Sequence, residues 1–168
     1  MFWALGILFG MQVALRQSAA DTQERRDLHA LLGVDPAARF VGRVLSGGVL
    51  MLAFLAVLFI AMVLIYGPNL PSGSWSTVLL GTVLFSIGLT ELGTLAGEIT
   101  AGMRNRTALA SLIVAPLALP LVIGASQALE ALSRSVGILP WVLLMLATDL
   151  ALAVVGVGMA RPLEEATR

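Results

Sequence analysis

The amino-acid sequence predicts an all-α protein, a polytopic bundle of transmembrane helices that forms a single membrane domain over residues 1–168. Two observations support this prediction. Hydrophobic residues make up 58% of the chain and charged residues only 12%, whereas a soluble globular domain carries about 25% charged residues. The apolar residues also cluster in runs of about 20, the length of helix that crosses the hydrocarbon core of a bilayer.

Five such runs predict five spans in this chain. They cover about residues 1–15, 44–66, 77–99, 108–129 and 138–160. The first run is shorter than a full span, and it lacks the positively charged start of a cleavable signal peptide. We therefore expect a missing upstream span, which would give six spans with both termini in the cytoplasm.

The distribution of arginine predicts the orientation of these spans. Segments 16–43, 100–107 and the C-terminal tail hold nine of the ten arginines, and the connections on the opposite side hold one. The positive-inside rule therefore places these three segments in the cytoplasm. Four aromatic residues lie at the span ends that this topology makes external, as in an interfacial aromatic belt: Trp3, Tyr66, Trp75 and Trp141.

The cytoplasmic segment 16–43 contains a predicted amphipathic helix over about residues 21–33. An Asp-Thr-Gln-Glu sequence at residues 21–24 is similar to a capping box, leucines recur at helical spacing, and Gly33 and Pro36 end the helix. We interpret this helix as a partner-docking element; a membrane-surface helix and a plain loop are the alternatives. The candidate docking residues are Glu24, Arg25, Leu28, His29, Leu31, Leu32 and Pro36.

Three acidic residues lie inside the predicted spans: Glu91, Glu98 and Asp149. A carboxylate is costly in lipid, so each is expected to face the bundle interior, a cavity or a partner. For Glu91 the alternatives are protonation, pairing with arginine, or a hydrogen bond to Thr90 or Thr94. We favour polar contacts between helices over a proton relay.

Two prolines four residues apart, Pro116 and Pro120, interrupt the fourth apolar run. Each removes a backbone donor from the helix, so the sequence predicts a kink at this point.

Composition excludes several classes of function. A net charge of zero argues against a nucleic-acid-binding protein. The absence of cysteine excludes disulfides and thiolate metal sites, and a single histidine, His29, makes a poor metal site. The absence of lysine excludes the phosphate-binding loop of an ATPase. No catalytic constellation is evident, so we expect a protein that is not an enzyme.

Residues along nearly the whole chain resemble the haem exporter protein B (CcmB) family, the permease subunit of the ABC-type complex of cytochrome c maturation. The resembling parts are Val13–Arg16 followed by a polar stretch, Leu28–Leu32 with Pro36, Arg43 at the start of the second span, and residues 104–123 with Pro116 and Pro120. Two departures lie in the presumed docking helix. His29 stands where the family commonly has Glu, and the stretch between Leu32 and Pro36 is slightly long.

The resemblance implies an ABC-2-like permease with six spans in the bacterial cytoplasmic (inner) membrane. It implies four protein partners: an ABC ATPase (CcmA-like) docked on residues 21–33, a haem-handling membrane protein (CcmC-like), a small membrane subunit (CcmD-like) and a haem chaperone (CcmE-like). Haem and ATP would bind to these partners, so no cofactor is expected on this chain.

The function that the resemblance implies is coupling of ATP hydrolysis to haem export or to release of the haem-loaded chaperone. We favour coupling over direct haem translocation, because no His, Cys or Tyr lies deep in any predicted span. The alternatives are an ABC-2 permease for another substrate, a proton-coupled carrier using Glu91, Glu98 and Asp149, and a membrane scaffold that transports nothing.

The predicted orientation can be tested with single cysteines, since the natural chain has none. Cysteines at Gly73 and Ser135 are expected to react from outside with an impermeant thiol reagent, and cysteines at Ala30 and Asn105 only after the membrane is opened. The reverse labelling pattern would contradict the orientation and the docking role of residues 21–33.

Overall fold

A computed structural model describes residues 5–10, 12–13, 31–67, 75–100, 106–134 and 136–166, and these ranges contain helices and short connections but no strand. The predicted all-α helical bundle is therefore confirmed. The five long helices are α1 (Pro36–Tyr66), α2 (Trp75–Ile99), α3 (Arg106–Leu117), α4 (Leu119–Ser133) and α5 (Leu139–Ala166). Residues 5–10 and 12–13 are also helical.

Three helical stretches are long and apolar enough to cross a membrane: Pro36–Ile65, Trp75–Ile99 and Leu139–Ala160. The bent pair formed by α3 and α4 raises the number to four if it is one span. The described part of the chain thus contains three to four candidate spans. The first predicted run contributes the shorter helical residues 5–10 and 12–13.

Helix α1 begins before the apolar run that predicts it. Asp35 is extended, with φ −62° and ψ 128°, and Pro36 occupies the first turn, where a missing N–H costs nothing. Arg39 and Arg43 lie within the helix. Charged residues limit which part of a helix can enter lipid, but they do not prevent the helix from extending beyond the membrane. Just before this start, Gly33 adopts a left-handed φ of 69°, the conformation typical of a residue that follows a helix end.

Helix α2 lies at the centre of the bundle. In its span window 67% of the residues are buried, against 17% for α1 and for α5, and it packs against all four other long helices. Small residues occupy much of its buried surface, including Gly81, Gly88, Gly93 and Gly97. Small residues let helix backbones approach closely in a membrane, and this explains why α2 occupies the centre.

The main hydrophobic core lies around α2. Its fully buried side chains come from all five long helices: Met51, Leu55, Phe85, Leu89, Leu92, Val114, Leu121 and Met145. The helical residues 5–10 join this core, since Phe9 stacks on Phe54 with ring centroids 3.5 Å apart. A Cβ at Gly6 or Gly10 would meet core side chains, so both glycines allow this segment to pack tightly.

A second, smaller cluster lies where α1 begins and where α2 and α5 approach their ends. It contains Phe40 and Val44 of α1, Leu95 of α2 and Ala160 of α5. The Phe40 ring occupies the space that a side chain at Gly156 of α5 would need. We call this group the end cluster. It joins the first turns of α1 to both α2 and α5.

The contact between Phe40 and Gly156 can be tested by overpacking. Gly156→Val is expected to destabilise the protein by about 1–3 kcal/mol, because the new side chain must displace a buried ring. Gly158→Val is the matched control on the same helix, since a Cβ there meets nothing within 4 Å. Thermal unfolding in detergent measures both, and equal stability of the two variants would contradict the close contact.

Candidate functional site

The candidate site consists of two buried carboxylates, Glu91 on α2 and Asp149 on α5. Each residue is only 6% exposed. An oxygen of Asp149 lies against the position where Gly88 of α2 would carry a Cβ. Gly88 and Glu91 are three residues apart and so share one face of their helix. Both carboxylates therefore occupy the same region between α2 and α5, and Leu121 of α4 also lies against Gly88.

These carboxylates lack hydrogen-bond partners within the described ranges. Three of their oxygens, Oε2 of Glu91 and both Oδ atoms of Asp149, are buried and accept no hydrogen bond there. Such groups are costly in a low-dielectric interior unless they are paired or neutralised. The arrangement therefore favours the binding of a positive species, and it does not by itself hold the two helices together.

Neighbouring hydroxyl groups do not satisfy these carboxylates. Thr90, Thr94 and Thr148 each donate to the carbonyl oxygen four residues earlier in their own helix, at 2.7 or 2.8 Å. This back-bonding is common for threonine in helices. Because a hydroxyl has one proton to donate, the hydrogen bond from Thr90 or Thr94 considered for Glu91 is not formed.

Glu98 lies in a different environment from Glu91 although both are on α2. Its Oε1 is 3.3 Å from a guanidinium nitrogen of Arg43, and both side chains are largely buried, with 12% and 14% of their surface exposed. The ion pair joins α1 to α2 beside the end cluster. Of the three predicted acidic residues, Glu98 thus pairs with an arginine, whereas Glu91 and Asp149 lie in one region without such a partner among the described residues.

Sequence reasoning missed two contacts of this region. One is the ion pair of Glu98 with Arg43, which is distant in sequence. Sequence reasoning also gave no role to Ser86, whose buried Oγ donates to the carbonyl oxygen of Gly48 on α1 at 3.1 Å. Gly47 and Gly48, two adjacent glycines inside an apolar run, were the only signal for such a close approach.

The two prolines lie on either side of a bend. Pro116 lies inside α3, Pro120 lies in the first turn of α4, and the two helices meet at Ala118 with a bend of 44°. Backbone bonds around the bend persist, from Ala118 N–H to Val114 at 2.8 Å and from Val122 N–H to Ala118 at 3.0 Å. Proline provides no N–H for the carbonyl four residues before it, and this loss accounts for the bend.

Comparison with known proteins shows the family of the chain. The model of the CcmB protein family matches residues 3–164. The chain belongs to the CcmB family. No curated protein and no solved structure matches it. Membership of the CcmB family, together with the apolar helices, makes this chain a multi-pass membrane transport subunit.

Only part of the presumed docking segment of this CcmB-family protein is described. Leu31 and Leu32 are 85% and 69% exposed, and Pro36 is the first residue of α1. Four other docking candidates lie outside the described residues: Glu24, Arg25, Leu28 and His29. The amphipathic helix over residues 21–33 therefore stays a prediction.

The ion pair between Arg43 and Glu98 can be tested by exchanging its charges. Arg43→Glu and Glu98→Arg alone are each expected to lower the free energy of unfolding by at least about 1.5–3 kcal/mol, the contribution of a hydrogen bond to a charged group. The double variant should recover most of the loss. Thermal unfolding in detergent, arranged as a double-mutant cycle, measures this coupling.

A matched control is the ion pair between Arg134 and Glu130, which is 2.6 Å long but exposed. Glu130→Gln should cost less than about 1 kcal/mol, because exposed pairs contribute little. If the double exchange at Arg43 and Glu98 were as unstable as the sum of the single variants, the ion pair would not join α1 to α2.

Proposed function

We propose that this chain is the permease subunit of an ABC-type haem exporter complex in cytochrome c biogenesis. In this role it couples ATP hydrolysis on a partner ATPase to haem export or to release of a haem-loaded chaperone. Membership of the CcmB family supports the class of transporter. The lack of lysine in the chain supports the separation of roles, since a phosphate-binding loop has to be on another subunit.

The observation that supports coupling is the attachment of α1 to the rest of the bundle. Helix α1 starts at Pro36, directly after the segment proposed to dock the ATPase. Phe40 packs against α5 at Gly156, and Arg43 pairs with Glu98 of α2. Packed interiors transmit displacement because they have little free volume. Movement of the docking segment would therefore move α1 and, through these contacts, α2 and α5.

We infer that the other partners are a haem-handling membrane protein (CcmC-like), a small membrane subunit (CcmD-like) and a haem chaperone (CcmE-like). Haem and ATP would be held by these partners and by the ATPase. The exposed apolar side chains along α1 and α5 suit contact with lipid or with membrane subunits; they include Leu45, Val49, Ile60, Leu64, Leu143, Leu150 and Val154. The location proposed is the bacterial inner membrane.

A second candidate function is a proton-coupled carrier, which the buried Glu91 and Asp149 favour. The pairing of Glu98 with Arg43 leaves two carboxylates for such a mechanism instead of three. Transport that continues without any ATPase would support this candidate over an ABC-type permease.

The docking of the ATPase can be tested with Leu28→Asp and Leu31→Asp. Burial of a leucine side chain contributes roughly 1.5–3 kcal/mol as an upper bound, so each variant should weaken ATPase binding about tenfold or more. Co-purification of the ATPase in mild detergent, and ATP-dependent release of the haem chaperone, are the measurements. Both should fall while membrane insertion is unchanged.

The matched control is Gln23→Asp, which places the same charge on the predicted polar face of the same helix. It should retain the ATPase and its activity. If both leucine variants also retained them, residues 21–33 would be a membrane-surface element, and coupling would have to pass through residues 104–106 or the C-terminal tail.

A further inference from the structure

The buried carboxylates of Glu91 and Asp149 place two acidic groups in one small region of the bundle. Asp149 lies against Gly88, one turn from Glu91. Each residue is more than nine-tenths buried. Three of the four carboxylate oxygens have no partner within the described ranges. If both carboxylates were ionised, two negative charges would lie close together in a low-dielectric interior. They would repel each other, and no described positive charge would offset them.

The other charged side chains on the helices around Glu91 and Asp149 lie two or more turns away from this region along their helices. On α2, Glu98 is seven residues from Glu91, about 10 Å along the axis, and is paired with Arg43 of α1; Arg39 is one turn further from the membrane centre. On α4, Glu130 is nine residues beyond Leu121, about 13 Å along the axis, and pairs with Arg134.

The remaining neighbours provide no closer cation among the described side chains. Residues 5–10 and 12–13 contain no titratable side chain, and the described side chains of α3 are all uncharged. On α5, Arg161 is twelve residues from Asp149, about 18 Å along the axis. The positive species that neutralises the site is therefore not one of the described side chains.

We propose that Glu91 and Asp149 form a proton-binding site between α2 and α5, at which at least one of the two carboxyl groups is held in the neutral, protonated form. A proton needs only one carboxylate oxygen, and it leaves a neutral acid that lipid tolerates far better than an anion. Calcium and magnesium ions take six or more oxygen ligands, and within the described residues no group of three or more His, Cys, Asp or Glu could hold a metal.

The absence of a side chain at Gly88 is part of this site. A Cβ at residue 88 would meet both an Asp149 oxygen and the methyl groups of Leu121. Glycine therefore makes the space in which the Asp149 carboxyl group lies close to α2. The helix turn from Gly88 to Glu91 then brings the second carboxyl group to the same face.

Infrared spectroscopy tests the proposal directly, because a neutral carboxylic acid has a carbonyl stretching band that an ionised carboxylate lacks. The sample is the full complex in lipid nanodiscs at neutral pH, in H2O and in D2O. The expected result is a neutral-acid band that shifts in D2O and is lost in Glu91→Gln/Asp149→Asn. The single variants Glu91→Gln and Asp149→Asn assign the band to one of the two carboxyl groups or to both. Glu98→Gln is the matched control and should leave the band intact.

The amide variants give a second readout. Gln and Asn are close in shape to the neutral acids, so Glu91→Gln and Asp149→Asn should keep assembly and thermal stability near those of the natural protein. A band absent at neutral pH, or unchanged by the double variant, would overturn the proposal. Loss of a bound partner on amide replacement would also overturn it. That result would mean that the carboxylate is ionised and pairs with a positively charged group of the partner. Neither readout depends on haem export, so failure of the proposed function leaves this test intact.

Discussion

The close packing of α2 against its neighbours is the constraint on which the rest of the structure depends. A helix enclosed by others in lipid gains nothing from apolar bulk, because lipid tails are as apolar as leucine side chains; it gains from close backbone approach and from interhelical hydrogen bonds. Gly88 accommodates Asp149 of α5, and Ser86 donates to the backbone of α1. These two contacts, two residues apart on α2, bring three helices together and also create the polar interior that contains Glu91.

Lipid as a solvent explains the distribution of polar groups. Large apolar side chains of α1 and α5 are exposed on the outside of the bundle. Thr90 and Thr94 of α2, by contrast, are buried and donate to carbonyl oxygens of their own helix. Glu98 reaches an arginine because it lies close to the end of the helix. Glu91 lies two turns deeper, where no described cation reaches it. Depth along the helix therefore decides which of the two glutamates has an arginine partner among the described residues.

Sequence reasoning predicted the helical class correctly, because apolar runs and the lack of charge are local properties. It could not predict the contacts of the site, since these depend on which helices are neighbours. The pairing of Arg43 with Glu98 spans 55 residues of sequence, and Gly88 gave no local sign that it faces Asp149. The family resemblance was visible in the order of short polar and proline-containing segments, and the match to residues 3–164 confirms it.

The positions of the end cluster and the carboxylates suggest how the two regions act together. Phe40 and Arg43 attach α1 to α5 and α2, and the same two helices carry Asp149 and Glu91 about two turns away. A displacement of α1 would therefore act on the pair of helices whose separation fixes the distance between the carboxyl groups. A neutral acid allows these helices to slide past each other without separating opposite charges, whereas a buried ion pair would resist the movement. The polar interior of the bundle is thus compatible with movement, and the charged pair is confined to the end at which the movement would start.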